Sequence, residues 1–370
     1  MPTSLLRRTV SGLFMVGIPD PRLDAATRRV LTEHPPGGVV LFRRNVHSAG
    51  QLRDLVASLH ELGAGVRPLI GIDHEGGRVD RLRRRPFTHF PAAAVVAEHG
   101  GVRAVEAVGL AMGRELAAVG IDIDFAPVLD VLSNPRNQVI GDRAFGSTPA
   151  RVARLGLALA RGLARGGVLP CGKHFPGHGG TLGDSHFVLP RVRRSRRMLL
   201  ETDLVPFERA VRAGFPALMT AHVVYTALDP SRPATLSPRI LRDLLRRRLG
   251  FRGVLFSDDL DMGAVAGRRS PERVAVAALG AGCDMLLACQ SLDAAVRAME
   301  GVERAVERGG LDARRVTDSL LRIQGLRRHG PMLRPRSRGT GRLAWPAHAK
   351  LARQVGRPKT ASWVGGEPRA

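Results

Sequence analysis

The chain has 370 residues, of which 44% are hydrophobic, and its 57 Lys and Arg against 33 Asp and Glu give a formal net charge of +24. This hydrophobic content is that of a globular protein, and the length allows one large α/β barrel or two ordinary domains. The basic excess is mostly arginine spread along amphipathic segments, without a zinc-finger, RNP or basic-zipper pattern, so we expect no specific nucleic-acid partner.

The apolar runs are all shorter than the roughly 18 residues that a membrane span needs, and the N-terminal segment lacks the features of a signal peptide. We therefore expect a cytoplasmic protein without a membrane span. The three cysteines, Cys171, Cys283 and Cys289, stand in apolar surroundings without the paired spacing of metal ligands. They are predicted to be reduced thiols in the core.

Short apolar runs alternate with longer amphipathic segments along most of the chain. The predicted strands are residues 13–16, 38–42, 68–73, 121–127, 170–175, 217–223, 253–258 and 284–288. Helical patterns between them include residues 51–62, 102–119, 151–164, 199–213, 238–249 and 271–281. This alternation predicts an α/β fold, a (β/α)8 TIM-like barrel in a single domain over residues 1–328. An open doubly wound sheet is the alternative, although no GxGxxG motif follows the first strand.

Several predicted strands end in polar residues. These are Asp73, Asp124, Lys173 with His174, His222 and Asp258. One aspartate after a strand commonly caps the next helix, but repeated polar endings suit a barrel, whose reactive groups gather at the C-terminal ends of the strands.

The segment KHFPGHGGTLGDSH, residues 173–186, follows one of these strands. Its proline and four glycines exclude a helix, so Lys173, His174, Asp184 and His186 are displayed on irregular backbone. Loops rich in glycine and ionisable side chains commonly carry function. His174 and His178 have the i, i+4 spacing of helical metal ligands, but no helix can align them here, and neither a metal nor another cofactor is expected.

Six motifs in this order resemble the β-N-acetylhexosaminidases of glycoside hydrolase family 3. They are IDHEGGRVDRL from Ile72, DFAPVLDV from Asp124, VIGDRAFG from Val139, KHFPGHGGTLGDSH from Lys173, MTAHVVYTALDPSRPATLSP from Met219 and FSDDLDM from Phe256. The resemblance runs from about residue 12 to residue 328 and implies the single-domain (β/α)8 form. It implies an exo-acting, retaining β-N-acetylglucosaminidase that releases terminal N-acetylglucosamine from peptidoglycan-derived muropeptides.

The resemblance also assigns catalytic roles. Retention requires a carboxylate that attacks the anomeric carbon and a proton donor for the departing oxygen. Asp258 matches the family nucleophile, His186 of the DSH triplet matches the proton donor, and Asp184 is its carboxylate partner. An imidazole suits this role because it titrates near neutral pH.

Substrate-binding roles follow in the same way. The residues implied are Asp73, Arg143, Lys173 and His174, and we expect His222 to contact the substrate beside them. The alternative for Arg143 is a structural ion pair with Asp142 or Asp130. The run from Glu75 to Arg78 is interpreted as architectural, with glycines that permit a tight turn and Arg78 paired internally.

One position departs from the family pattern, because Gly180 stands where many relatives carry an acid, and subsite contacts or loop mobility could differ there.

The alternatives to a β-N-acetylglucosaminidase are a family 3 phosphorylase, a β-glucosidase, a metal hydrolase, and a basic nucleic-acid-binding protein that has kept the barrel. A small carbohydrate substrate and a monomeric state are expected.

The segment 329–370 is rich in Pro, Gly, Arg and Ser and lacks sustained periodicity. It is predicted to be a basic, disordered tail with one short helix at about residues 347–355. Both tryptophans, Trp345 and Trp363, lie in it.

Overall fold

The structure, a computed structural model, describes residues 3–62, 67–182, 189–265, 270–333 and 345–357. Eight parallel strands close into a barrel. They are β1 (Phe14–Gly17), β2 (Gly38–Leu41), β3 (Leu69–Ile72), β4 (Ile123–Asp124), β5 (Leu169–Phe175), β6 (Ala217–Thr220), β7 (Val254–Asp259) and β8 (Met285–Ala288). Each falls on a predicted strand, and the predicted (β/α)8 barrel is confirmed.

The strands are almost continuously buried, which explains their uninterrupted apolar sequences. A parallel sheet covered by helices on its outside has no solvent-facing side, so its strands do not alternate between polar and apolar residues. Aromatic side chains fill part of the core, where the rings of Phe125 and Phe256 meet edge to face with centroids 5.7 Å apart. The barrel is thus a packed core with its polar residues at the strand ends.

Helices surround the barrel. The α-helices are Thr3–Ser11, Ala25–Glu33, Ala49–Leu62, Ala93–Ala117, Pro149–Gly166, Arg196–Met198, Val205–Arg212, Pro271–Ala281, Leu292–Glu307, Ala313–Leu333 and Pro346–Gly356, with π-helical segments at Leu199–Asp203 and Arg239–Arg248. Short 3-10 turns are Arg43–Asn45, Gly141–Arg143 and Ala234–Leu236, and strands Arg191–Val192 and Val224–Tyr225 form a small second sheet. Every predicted helix is found.

The helix Ala93–Ala117 starts earlier than residue 102, where its periodic pattern begins. Its two limbs join at Gly101, which has a φ of +66° that residues with a side chain rarely adopt. The sequence pattern therefore detected the second limb, which holds eight of the helix's ten buried residues.

The last described helix, Pro346–Gly356, packs against the helix Ala93–Ala117. Its Ala352 and Val355 are buried in a cluster shared with Ala93–Ala117 and Pro149–Gly166. The predicted short helix is therefore present, and it packs into the core. Residues 334–344 and 358–370 lie outside the described residues.

The three cysteines are buried and unpaired, as predicted. Burial raises the pKa of each thiol, which keeps them protonated and unreactive at neutral pH. Within the described ranges, no helix is long and apolar enough to cross a membrane.

Candidate active site

A cavity of about 200 Å³ opens at the C-terminal ends of the barrel strands. We call it the mouth cavity. It is lined by five predicted site residues, Asp73, Arg143, Lys173, His174 and Asp258. The structure thus brings together side chains from β5 and β7 and from the segments that follow β3 and β4. The predicted acid/base pair, Asp184 and His186, lies outside the described residues.

Lys173 on β5 is the central cation of the mouth cavity. Its side chain is 2% exposed, and its Nζ lies 2.6 Å from Asp73 Oδ1 and 2.6 Å from Glu75 Oε1. Burial alone would lower the pKa of Lys173, but the two carboxylates outweigh it and raise the pKa well above its ordinary value. Lys173 is therefore a fixed ammonium group beside the space for a substrate.

Glu75 is shared between two cations. Arg143 donates from Nε and Nη2 to the two carboxylate oxygens of Glu75, both at 2.8 Å. Burial would raise the pKa of Glu75, but Arg143 and Lys173 hold it well below its usual range. We considered a structural ion pair of Arg143 with Asp142 or Asp130. The structure corrects this alternative, because Arg143 pairs with Glu75.

The run from Glu75 to Arg78 is architectural in part. Gly76 and Gly77 turn the chain with φ values of +84° and +57°, and Arg78 pairs with Asp142 at 2.9 Å, as predicted. Glu75 itself does more than the architectural role that we expected, because its carboxylate lines the mouth cavity and orients Arg143 and Lys173.

Asp130 fixes the histidine side of the site, and sequence reasoning gave it no such role. Its carboxylate accepts hydrogen bonds from the backbone N–H groups of His174 and His178, at 3.2 and 2.7 Å, and lies 2.7 Å from His174 Nδ1. A carboxylate only accepts, so Nδ1 of His174 carries hydrogen.

His178 has a different environment. Burial, together with the nearby His174, lowers the pKa of His178 to about 4, so that its ring is neutral at neutral pH. Its Nδ1 lies 3.0 Å from the hydroxyl of Thr181. Among the described residues, no group of three or more His, Cys, Asp or Glu side chains is arranged to hold a metal ion.

Asp258 lies in β7 and is ready to act as a carboxylate. One of its oxygens accepts a hydrogen bond of 2.9 Å from the backbone N–H of Asp259. Burial would raise the pKa of Asp258, but His222, His174 and that N–H lower it below the ordinary value. An ionised carboxylate at neutral pH is what nucleophilic attack requires.

Asp259 also lines the mouth cavity, but its carboxylate is engaged by the protein. It accepts hydrogen bonds from the backbone N–H groups of Cys289 and Asp261, at 3.1 and 3.2 Å, and from the Gln290 side chain at 3.2 Å. Burial, with the nearby Asp261, raises the pKa of Asp259 to about 7. These contacts join the ends of β7 and β8.

His222, a predicted substrate ligand, does not line the mouth cavity formed by the described residues, and it is fully buried. Its Nδ1 lies 2.7 Å from the Thr235 hydroxyl and its Nε2 lies 2.9 Å from the Asp259 carbonyl oxygen. Both ring nitrogens thus contact protein atoms, and the sugar-binding role expected of His222 stays a prediction.

Arg81 is a further residue that sequence reasoning missed. It lines the mouth cavity, and its Nη2 lies 3.7 Å from Asp73 Oδ2. Its guanidinium also lies over the ring of Phe42, 5.9 Å from the centroid. The available signal was its place in the motif that begins at Ile72, on the loop that carries Asp73.

Gly180 lies away from the mouth cavity as the described residues define it. A Cβ atom built at Gly180 would lie 3.3 Å from Ser133 Oγ and 3.8 Å from the side chain of Arg194. Arg194 instead pairs with Asp203 at 2.6 Å. An acidic side chain at position 180 would therefore start beside Ser133 and Arg194.

Known proteins that are similar to this chain belong to the family that the sequence motifs indicated. The profile of the family described as "Glycosyl hydrolase family 3 N terminal domain" matches residues 5–326. The β-hexosaminidase of Methylococcus capsulatus is 45% identical over 292 residues, which cover 78% of this chain and 86% of that protein. The β-hexosaminidase of Chromobacterium violaceum is 46% identical over 284 residues, or 75% of this chain and 78% of that protein.

Two solved structures are similar over nearly the whole chain. A glycoside hydrolase family 3 β-N-acetylglucosaminidase from Paenibacillus has a TM-score of 0.90 and 36% identity, covering 95% of this chain and 68% of that one. NagZ from Neisseria gonorrhoeae, in complex with N-trifluoroacetyl-D-glucosamine, has a TM-score of 0.78 and 37% identity, covering 94% and 98%.

Proposed function

The chain belongs to glycoside hydrolase family 3, and from this premise we propose that it is an exo-acting, retaining β-N-acetylglucosaminidase. Its proposed substrates are peptidoglycan-derived muropeptides with a terminal β-linked N-acetylglucosamine. The observation that carries the proposal is the mouth cavity, where the low-pKa carboxylate of Asp258 shares a small space with Lys173 and Arg143. The names of the relatives, and the hexosamine analogue bound by the neisserial protein, support an N-acetylated sugar.

In the first step, Asp258 attacks the anomeric carbon and forms a glycosyl-aspartate ester as the bond to the aglycone breaks. The departing oxygen takes a proton from His186, whose imidazole is oriented by Asp184. These two roles rest on the family resemblance of the DSH triplet. The fixed charges of Lys173, Arg143 and Asp73 bind sugar hydroxyls and hold the ring in place.

In the second step, water attacks the same carbon while His186 takes its proton, and Asp258 leaves as a carboxylate. The sugar is thus released with its original anomeric configuration. No cofactor takes part.

The size of the mouth cavity supports removal of one sugar at a time. At about 200 Å³ it is smaller than the roughly 300–1,000 Å³ of sites for drug-sized ligands, so it suits a single terminal residue. A cytoplasmic location and a monomeric state belong to the same proposal. Cell fractionation and light scattering of the purified protein test them.

The proposed activity is tested with paired chromogenic substrates, the 4-nitrophenyl β-glycosides of N-acetylglucosamine and of glucose. The wild-type protein should prefer the first. Asp258→Ala should abolish turnover because it removes the nucleophile. The matched control, Asp259→Ala, should stay folded and at least partly active, since it removes carboxylate contacts to the backbone rather than the attacking group.

Predominant β-glucosidase activity would refute the assigned substrate, and an inactive Asp259→Ala beside an active Asp258→Ala would refute the assigned nucleophile. Product analysis in phosphate buffer and in a neutral buffer without phosphate distinguishes hydrolysis from the phosphorylase alternative. The free sugar is expected in both, and sugar 1-phosphate in phosphate would contradict hydrolysis.

A further inference from the structure

His222 follows β6, is fully buried, and contacts Asp259, which lines the mouth cavity. We propose that His222 is a positioning residue for Asp258: its imidazole holds the backbone at Asp259, and that backbone fixes the nucleophilic carboxylate. This inference rests on the proposed function, in which Asp258 attacks the anomeric carbon. It replaces the sugar-binding role that the sequence suggested for His222.

The hydrogen-bond geometry defines what His222 does. The Asp259 carbonyl oxygen lies 2.9 Å from Nε2, and a carbonyl can only accept, so Nε2 carries a hydrogen and donates it. On the other side, Nδ1 lies 2.7 Å from the hydroxyl of Thr235. That hydroxyl also lies 2.8 Å from the Thr220 hydroxyl and 3.1 Å from the Ala221 carbonyl oxygen. The ring is therefore held in one orientation.

The contact at Asp259 reaches Asp258 through a single residue. The N–H of Asp259 donates to Asp258 Oδ1 at 2.9 Å, while the C=O of Asp259 accepts from His222. The Asp259 side chain is bound by Cys289 and Gln290 at the end of β8. Because its backbone N–H and its backbone C=O are both hydrogen-bonded, Asp259 supports Asp258 rigidly. A displacement of about 1 Å in a reacting group can cost about 10²-fold in rate.

The electrostatics support the same role. Burial favours the neutral form of Asp258, and His222 stands first among the groups that oppose it, before His174 and Lys173. This agrees with the geometry, in which one residue separates the His222 imidazole from the nucleophilic carboxylate.

Two amide substitutions distinguish the roles of the two ring nitrogens of His222. The amide nitrogen of glutamine falls near Nε2 and can still donate to the Asp259 carbonyl, whereas that of asparagine falls near Nδ1 and cannot reach it. His222→Asn should therefore lower kcat by about 10²-fold, with KM changed by less than about threefold, because ground-state sugar contacts are intact. His222→Gln should recover most of that loss.

Each variant is compared with the wild type by circular dichroism and thermal melting. A kcat of His222→Asn within threefold of the wild type, equal losses in both variants, or a change confined to KM would overturn the positioning role. If His222→Asn does not fold, Thr235→Val tests the proposal instead, because it removes the hydroxyl that contacts Nδ1 of His222. This variant should lower kcat at constant KM, and an unchanged kcat would overturn the proposal.

Failure of the proposed function gives a different result. An inactive wild-type protein, or an active Asp258→Ala, would refute the glycosidase mechanism itself. An active wild type, an inactive Asp258→Ala and a fully active His222→Asn would refute only the inference about His222.

Discussion

At the scale of single residues, Glu75 organises the charges of the site. It is a buried carboxylate within 2.6–2.8 Å of Lys173 and Arg143, two cations proposed to bind sugar hydroxyls. Removing one partner of a buried ion pair leaves the other charge uncompensated, which costs about 3–5 kcal/mol. The orientation of both cations therefore depends on Glu75.

We predict that Glu75→Gln lowers the free energy of unfolding by about 3 kcal/mol and lowers kcat/KM by at least about tenfold. Urea unfolding and steady-state kinetics measure the two effects. Asp142→Asn is the matched control, because it also removes a carboxylate from an arginine pair, with Arg78, but its side chain is 48% exposed. It should change stability by less than about 1 kcal/mol. Equal effects in the two variants would contradict the central role of Glu75.

The sign of the pH dependence follows from the depressed pKa of Glu75. Its contribution to stability is full above its ordinary pKa of 4.5 and is lost as the pH falls from there toward the depressed value in the folded protein. Stability measured below pH 4.5 should therefore fall less steeply for Glu75→Gln than for the wild type. A parallel pH dependence would show that the Glu75 ion pairs contribute little.

The sequence identified which strand ends carry reactive groups, but not how those groups pair. Asp73, Lys173, His174 and Asp258 could be found because each ends an apolar run or lies in a family motif. The contact between Lys173 and Glu75 joins β5 to the loop after β3, and no local pattern encodes a pairing across 98 residues of sequence. The double engagement of His222 was missed for the same reason.

At the scale of elements, the eight strands were predictable because burial on both faces leaves nearly continuous apolar runs. The helix Pro346–Gly356 was predicted only as a short helix in a disordered tail. Its buried residues include small or polar ones, Ala352 and His348, whose contribution arises from contact with the helix Ala93–Ala117. Hydrophobic periodicity cannot reveal such a contact.

His348 is the polar anchor of that helix. Its Nδ1 lies 2.8 Å from Glu115 Oε1, and Glu115 also accepts the backbone N–H of Thr88 at 2.8 Å. His348→Ala leaves a buried oxygen of Glu115 without this partner, so we predict a loss of about 2 kcal/mol in stability by urea unfolding. Lys350→Ala, at an exposed position of the same helix, should change it by less than about 0.5 kcal/mol. Equal stabilities of the two variants would show that the helix is only loosely attached.

At the scale of the whole molecule, the two ends of the barrel have separate tasks. The mouth cavity lies at the C-terminal ends of the strands, whereas Asp284 immediately precedes β8 at the opposite end. Asp284 is fully buried and is contacted by three guanidinium groups, those of Arg246, Arg315 and Arg322. These arginines lie on the helical segments Arg239–Arg248 and Ala313–Leu333, so one carboxylate ties both segments to the barrel. One carboxylate here faces three guanidinium groups, so the cluster itself keeps a positive charge.

This separation predicts that stability can be lowered without loss of chemistry. Asp284→Asn should lower the free energy of unfolding by about 3 kcal/mol, because three buried or half-buried cations lose their shared counter-charge. The kcat and KM of the folded enzyme should stay within about twofold of the wild type at a temperature well below melting, since the N-terminal end of a barrel serves stability. Asp243→Asn, which breaks an exposed pair with Arg247, is the control and should change neither quantity measurably. A large change in kcat for folded Asp284→Asn would show that the cluster is coupled to the mouth cavity through the barrel.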